Sequence, residues 1–353
     1  MTSLPDPGPS PSHVIGDHTV PLLEETVGDM LARVARTWPA QPALVVPPQG
    51  VRMDYATFNE AVDRLAAGLL KLGLVPGDRV AIWSLNRAEW VLMQFAAPRA
   101  GLILVNINPA YRTHELAFAL RHVGCKALVL PRRFKTSDYV GMLRELAPEL
   151  DACAAGELKA AALPDLRHVL VMGEGEPIPG THAFDCVANC DDTTALARMR
   201  GVAATLSPHD AVNIQFTSGT TGAPKGATLT HHNIVNNGFF VGEAMHLTEQ
   251  DKLCIPVPFY HCFGMVLGNL ACVTHGACMV IPGEGFDPLV TLETVQAERC
   301  TGLHGVPTMF IAELDHPRFK EFDLSTLRTG IMAGSPCPIE VMKRVVSDMH
   351  LSE

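Results

Sequence analysis

The chain has 353 residues, more than one ordinary hydrophobic core accommodates, so its length predicts two lobes. Hydrophobic residues make up 47% and charged residues 18%, which excludes a disordered chain and favours a compact globular enzyme. The formal net charge is −10 and no stripe of Lys and Arg is present, which argues against a nucleic-acid-binding surface. Any anionic ligand would then be held by local N–H groups and single cations.

The first 20 residues are rich in Pro, Ser, Gly and Asp, which predicts a flexible leader. This segment lacks the apolar region of a secretory signal, so the ten cysteines are interpreted as reduced thiols of a cytoplasmic protein. The longest apolar stretch, 265–281, is interrupted by Asn269, Thr274 and His275. It is therefore a poor candidate for a transmembrane helix.

In the first half of the chain, helical periodicity is followed by an alternation of strands and helices. Helices are predicted at 22–38, 55–72, 87–99 and 113–123, and strands at 80–85, 102–107, 126–130 and 168–172. Such a run predicts a parallel sheet with right-handed crossovers. The Ala-rich stretch 151–165 is expected to be a helical surface insertion, and 173–192 a loop.

The alternation resumes in the second half. Strands are predicted at 212–216, 227–229, 252–256, 277–281, 301–304 and 327–332, and helices at 264–273, 288–298, from 307, and at 338–349. Thr230 is expected to cap the helix that follows it, and Asp287 with Pro288 to begin another. The predicted fold class is α/β, with two doubly wound α/β subdomains stacked together.

A loop at 217–226 carries the strongest functional signal. It follows a predicted strand, and its residues are Thr217, Ser218, Gly219, Thr220, Thr221, Gly222, Ala223, Pro224, Lys225 and Gly226. Hydroxyl and N–H groups on a glycine-rich backbone can wrap a polyphosphate while a lysine supplies positive charge. A Walker-type loop would need Gly-Lys-Ser/Thr running into a helix, whereas here Pro precedes the lysine and a strand is predicted after it.

Three further segments fall at strand ends, where doubly wound sheets bind ligands. They are 258–264, with three aromatic rings and His261; 304–308, a strand-to-helix turn; and 333–336, which is built of small residues and Pro. A core aromatic cluster and a plain turn are the simpler interpretations of the first two. His261 and Cys262 are not expected to form a nucleophilic dyad, because neighbours in an extended chain project apart.

The loop 217–226 resembles, residue for residue, the phosphate loop of the adenylate-forming superfamily. The chain as a whole resembles the large N-terminal part of an AMP-forming acyl-CoA synthetase. This resemblance implies one subdomain over 76–239 and another over 21–75 plus 240–353. It also implies that a carboxylate, expected to be a fatty acid, reacts with ATP to give an acyl-adenylate and pyrophosphate, before coenzyme A releases AMP. Magnesium would be carried by the nucleotide.

The resemblance also assigns residues. Lys225, Thr220 and His261 are the implied catalytic residues. The nucleotide would contact Thr217, Ser218, Gly219, Thr220, Thr221, Gly222, Ala223, Pro224 and Lys225, and also Gly334, Ser335 and Pro336 beside the adenine. The acid would contact Phe259, Tyr260, His261, Phe263, Gly264, His304, Gly305 and Val306. No protein-held metal is expected. Ser335 replaces the Ala usual in the family.

Several features of the family are missing from this sequence. The Tyr-Gly-x-Thr-Glu motif, the Asp that holds the ribose and the C-terminal domain with its lysine do not occur, so a truncated synthetase is expected, with little or no activity of the 353-residue chain alone. A non-catalytic nucleotide- or acyl-binding fragment and an aryl-acid ligase remain alternatives. The segment 260–265 contains no acidic residue to pair an ammonium group, and Gly264, Gly268 and Ala271 are expected to leave room for an aliphatic tail. A homodimer is left open.

Overall fold

Two large sheets organise the protein. The structure is a computed structural model that describes residues 19–217 and 224–353. Within these ranges a seven-stranded sheet and a six-stranded sheet are joined by helices, and a short hairpin, β6 (Arg133–Phe134) with β7 (Ser137–Asp138), stands apart. The predicted α/β class with doubly wound sheets is confirmed.

The seven-stranded sheet is built from the middle of the chain. Its strands in spatial order are β11 (Lys225–Thr230), β10 (Ala211–Thr217), β4 (Ile103–Ile107), β3 (Arg79–Trp83), β5 (Cys125–Pro131), β8 (His168–Met172) and β9 (His182–Ala183). All neighbours are parallel except β10 and β11, which form an antiparallel hairpin. The chain passes from β3 to β4 on one side and then to β5 on the other, so a ligand site is expected at the carboxyl ends of these strands.

The six-stranded sheet combines an early and a late part of the chain. Its spatial order is β15 (Thr329–Met332), β14 (Gly302–Gly305), β12 (Lys252–Cys254), β13 (Cys278–Val280), β1 (Pro42–Val46) and β2 (Val51–Asp54). Only the β1–β2 pair is antiparallel. Strands from residues 42–54 therefore share a sheet with strands beyond residue 250, although the subdomain boundaries given above stay a prediction.

Helices pack around these two sheets. They are α1 (Val27–Thr37), α2 (Tyr55–Lys71), α3 (Ala88–Arg99), α4 (Thr113–His122), α5 (Tyr139–Leu146), α6 (Phe184–Ala188), α7 (Thr193–Ala203), α8 (His231–Ala244), a π-helix (Phe263–Leu270), α9 (Ala271–His275), α10 (Pro288–Glu298), α11 (Pro307–Leu314) and α12 (Ile339–Met349). Apolar residues from the inner faces of both sheets join α1, α2, α3, α8 and α9 in one core. Smaller cores lie beneath α4 and α5 and beneath α10, α11 and α12.

Local sequence sets the ends of many helices. The Thr230 hydroxyl accepts the Asn233 N–H at the start of α8, and the Asp287 carboxylate accepts the Val290 N–H at the start of α10. Both predicted caps are thus confirmed. The first helix begins at Val27, because the Thr26 side chain caps it there, and this is later than the predicted residue 22.

Two predictions for the middle of the chain are wrong. The stretch 151–165 is not a helical insertion: a 3₁₀ helix, Pro148–Ala152, leads into turns. The helix propensity of the alanines does not decide the structure here. Burial of Leu158, Leu163 and Leu166 against the outer face of the seven-stranded sheet stabilises the non-helical conformation more. The segment 173–192 is not simply a loop, since it contains β9 and α6.

A buried histidine joins two of the central helices. His231 opens α8 and is 1% exposed, and its Nδ1 accepts a hydrogen bond of 3.1 Å from the Val27 N–H, the first residue of α1. Burial lowers the pKa of His231 from 6.5 to about 4. The folded chain therefore binds fewer protons than the unfolded chain between these values, and the stability contributed by His231 is full above pH 6.5 and lost as pH falls towards 4.

We expect His231→Asn to flatten the pH dependence of stability. The amide oxygen can still accept the Val27 N–H, but it cannot titrate. Between pH 4.5 and 6.5 the unfolding free energy should vary less steeply than in the parent, by about 1 kcal/mol per pH unit. Denaturant unfolding across this range provides the measurement, and the exposed His350→Asn is the control. Equal slopes for parent and His231→Asn would contradict this assignment.

Candidate functional site

The hairpin β10–β11 holds both ends of the predicted phosphate loop. Thr217 and Lys225 are direct partners across the antiparallel pair, and the Thr217 hydroxyl lies 3.5 Å from the Lys225 carbonyl oxygen. Both side chains are exposed, and Pro224 beside them is half-buried. The predicted residues Ser218, Gly219, Thr220, Thr221, Gly222 and Ala223 lie outside the described residues. Lys225 is thus placed at one end of the loop, directly across the hairpin from Thr217 at the other end.

The aromatic segment leaves the carboxyl end of β12. Phe259 is buried and packs against Trp90 with ring centroids 5.4 Å apart, whereas Tyr260 is half-buried and His261 is exposed. The Phe263 N–H donates to Nδ1 of His261 over 3.1 Å, which fixes the neutral ring with its proton on Nε2. That Nε2–H can then donate to an anion approaching from solvent.

The expectation that His261 and Cys262 project apart is wrong. The Cys262 sulfur lies 3.7 Å from His261 Nδ1, because the chain is turning into the π-helix here and is not extended. Burial nevertheless raises the pKa of the Cys262 thiol, so the neutral thiol is favoured over the nucleophilic thiolate. The pair is in contact without the thiolate that a nucleophilic dyad needs.

The space beside the glycines of the π-helix is filled by other protein atoms and leaves no room for an acyl tail. A Cβ atom on Gly264 would lie 2.5 Å from the Pro258 carbonyl oxygen, and one on Gly268 would lie 2.9 Å from Cγ2 of Ile255. Ala271 is fully buried. The chain after β12 therefore folds back onto this helix and fills the space. The expected room for an aliphatic tail beside these residues is wrong.

His304 is a structural bridge at the end of β14. It is 0% exposed; its Nε2 lies 3.0 Å from the Leu267 carbonyl oxygen, and its Nδ1 accepts the Ile331 N–H over 3.2 Å. Burial lowers its pKa to about 4, so the ring is neutral at neutral pH. Both ring nitrogens are occupied, and the ring packs against Phe263 with centroids 5.3 Å apart, so the ring nitrogens serve the fold. Its predicted contact with the acid stays a prediction.

The predicted adenine segment lies next to the turn after β14. The Ala333 N–H donates to the Gly305 carbonyl oxygen over 3.3 Å. Gly334 has a φ of +92°, and a Cβ atom on it would lie 3.1 Å from Cγ1 of Val306. Gly334, Ser335 and Pro336 are all exposed, as a surface for a flat ring would require.

Buried amide side chains support the aromatic segment, and the sequence analysis missed them. They are Asn86, Gln94, Asn106, Asn213, Gln215 and Asn269. Asn86 donates to the Val257 carbonyl oxygen and accepts the Phe259 N–H, each over 2.9 Å. The signal that could have found several of them is a single amide inside an apolar run, as in Ile103–Ile107.

The described residues contain neither of two further kinds of site. None of their helices combines the length and apolarity needed to cross a membrane. No group of three or more His, Cys, Asp or Glu side chains within 19–217 and 224–353 is placed to hold a metal ion.

We expect Gly264→Ala to destabilise the protein by about 1–3 kcal/mol, because the added methyl group overlaps the Pro258 carbonyl. Thermal or denaturant unfolding checks this. Gly201→Ala is the matched control: it lies inside α7 with nothing within 4 Å of the new atom, so it should stabilise by about 0.5–1 kcal/mol. Equal effects of the two changes would contradict the close packing described here.

Comparison with characterised proteins identifies the family. A profile of the family described as AMP-binding enzyme matches residues 31–351. YngI of Bacillus subtilis, provisionally named an acyl-CoA synthetase, is 44% identical over 332 residues, 94% of this chain and 60% of its own length. Human medium-chain acyl-CoA ligase ACSF2, mitochondrial, is 42% identical over 347 residues, 97% of this chain and 56% of its own length. The chain thus spans somewhat over half the length of these curated relatives.

Solved structures show the same fold. The anthranilate CoA ligase AuaEII, in complex with anthranoyl-AMP, has a TM-score of 0.78 at 23% identity, covering 94% of this chain and 59% of that one. The N-terminal domain of FACL13 from Mycobacterium tuberculosis has a TM-score of 0.70 at 25% identity, covering 91% and 72%. The described ends of the loop and the strand-end segments lie on this fold, and the family profile covers nearly the whole chain. The chain belongs to the AMP-binding enzyme family.

Proposed function

We propose that this chain is the nucleotide- and acid-binding part of an AMP-forming fatty acyl-CoA synthetase. The observation that supports the proposal is that β10, which leads into the Thr217–Lys225 hairpin, contacts Met265 of the chain segment after His261 through Gln215, in a chain of this family. The names of the relatives support a medium-chain acid as the substrate class. In this proposal coenzyme A accepts the acyl group in the second half-reaction.

In the first half-reaction a carboxylate oxygen attacks the α-phosphorus of ATP, and the bond to the bridging oxygen breaks to release pyrophosphate. Lys225 would stabilise the charge on the leaving pyrophosphate, together with Thr217, Thr220 and the loop N–H groups. The Nε2–H of His261 would hold the carboxylate in line. Gly334 to Pro336 would lie against the adenine.

In the second half-reaction the coenzyme A thiolate attacks the acyl carbon, and AMP leaves. Magnesium would enter as the magnesium complex of ATP. A cytoplasmic location and a homodimer stay predictions, and some relatives are named as mitochondrial.

The experiment that tests the function is ATP–pyrophosphate exchange with a graded series of acids, measured on this chain joined to the C-terminal domain that the family resemblance implies. Hexanoate to dodecanoate should support exchange better than palmitate or benzoate. A benzoate preference would favour the aryl-acid alternative. ATP binding without exchange for any acid would favour a non-catalytic binding fragment.

We expect Lys225→Met to weaken ATP binding by about 10- to 100-fold and AMP binding less than twofold. The reason is that AMP lacks the β- and γ-phosphates that this cation would meet, and a hydrogen bond to a charged group contributes about 1.5–3 kcal/mol. Calorimetric titration of both nucleotides is the measurement. The exposed Lys320→Met is the control. Parallel losses for ATP and AMP would place Lys225 elsewhere.

A further inference from the structure

Asn106 connects the two sheets at the site. It is buried in β4, and its Nδ2 group donates to the Tyr260 carbonyl oxygen over 3.3 Å and to the Met265 sulfur over 3.2 Å. Its Oδ1 accepts the Asn213 Nδ2–H over 2.9 Å. One side chain thus joins β4 and β10 of the seven-stranded sheet to the segment that follows β12 of the other.

The strand β10 makes a second contact with the same segment. Gln215 Nε2 lies 3.6 Å from the Met265 sulfur. Side chains two residues apart share one face of a strand, so Thr217, at the start of the phosphate loop, follows Asn213 and Gln215 on the face that meets the aromatic segment. Thr217, where the loop begins, and the aromatic segment are therefore both held by the strands β4 and β10.

The bond to Tyr260 has a specific geometric consequence. The carbonyl of Tyr260 and the N–H of His261 belong to one rigid peptide plane. The His261 N–H donates to the Pro258 carbonyl oxygen over 3.3 Å, so Asn106 and Pro258 hold the plane from its two ends. The backbone from which the His261 ring projects is fixed relative to β10.

We propose that Asn106 is a positioning residue that keeps the acid-binding segment in register with the phosphate loop. The inference rests on the proposed function. Ligands that occupy only one half of the site do not depend on the register. A ligand that occupies both halves at once does depend on it. Asn106 therefore acts on the joint binding of acid and nucleotide, which is the geometry needed for in-line attack.

The test compares three ligands on the 353-residue chain by calorimetry. They are AMP, decanoate, and a non-hydrolysable decanoyl-sulfamoyl adenosine that mimics the acyl-adenylate. Asn106→Leu is expected to weaken binding of the mimic by at least about tenfold and of AMP and decanoate by less than about twofold. If Asn106→Leu does not fold, Asn106→Thr takes its place, since it is smaller, suits a strand and lacks the amide group that donates to Tyr260.

Two variants serve as controls. Gln94→Leu removes an equally buried amide that donates to the Met265 carbonyl oxygen over 2.9 Å but does not touch β10, so all three affinities should change alike. Met265→Leu removes the sulfur but leaves the bond to Tyr260, so binding of the mimic should stay within about threefold.

The outcomes separate the inference from the function. Equal losses for all three ligands in Asn106→Leu would reduce Asn106 to a purely structural role and overturn the inference. A loss in Met265→Leu as large as in Asn106→Leu would overturn the assignment to the Tyr260–His261 peptide. If the parent chain binds neither AMP nor the mimic, the proposed function itself fails.

Discussion

A carboxamide removed from water must find hydrogen-bond partners, and in this protein that requirement joins the two sheets. The segment from Val257 to Met265 follows a strand of the six-stranded sheet. It takes side-chain hydrogen bonds from Asn106 in β4 of the seven-stranded sheet, and from Asn86 and Gln94 in the loop and helix α3 that connect β3 to β4. A site built on this segment is therefore set by both halves of the fold. Moving either sheet would leave several buried amides without partners, which costs about 1–3 kcal/mol for each.

Close backbone packing also supports this segment. Gly264 lets the π-helix approach the Pro258 carbonyl, and His304 joins the same helix to β15 through Leu267 and Ile331. A π-helix has poorer hydrogen bonding than an α-helix and is often retained where function needs a particular carbonyl or side-chain direction. Here the Met265 carbonyl is bonded by Gln94, and the Met265 sulfur faces Asn106 and Gln215. The unusual helix is stabilised by groups outside it.

The sequence predicted what depends on near neighbours. Strand periodicity, the Thr230 cap and the Asp287–Pro288 start were all visible, because each involves residues within one turn. The motif at 217–226 indicated a phosphate loop, although most of it lies outside the described residues. The amide bonds were not visible, since Asn106 and Tyr260 are 154 positions apart. Nor could the sequence show whether Gly264 leaves a void or admits a backbone, because both use the same residue.

Three histidines in or near the predicted motifs show that burial, and not residue type, decides their chemistry. His231 and His304 are enclosed and held neutral, and each accepts a backbone N–H at Nδ1. His261 also accepts a backbone N–H at Nδ1, but its ring is exposed. The same tautomer thus has two uses. In His304 the Nε2–H donates to the Leu267 carbonyl oxygen, whereas in His261 it faces solvent, where it can donate to an anion. Protonating His304 would break its bond with the Ile331 N–H, so acid would weaken the contact between the π-helix and β15.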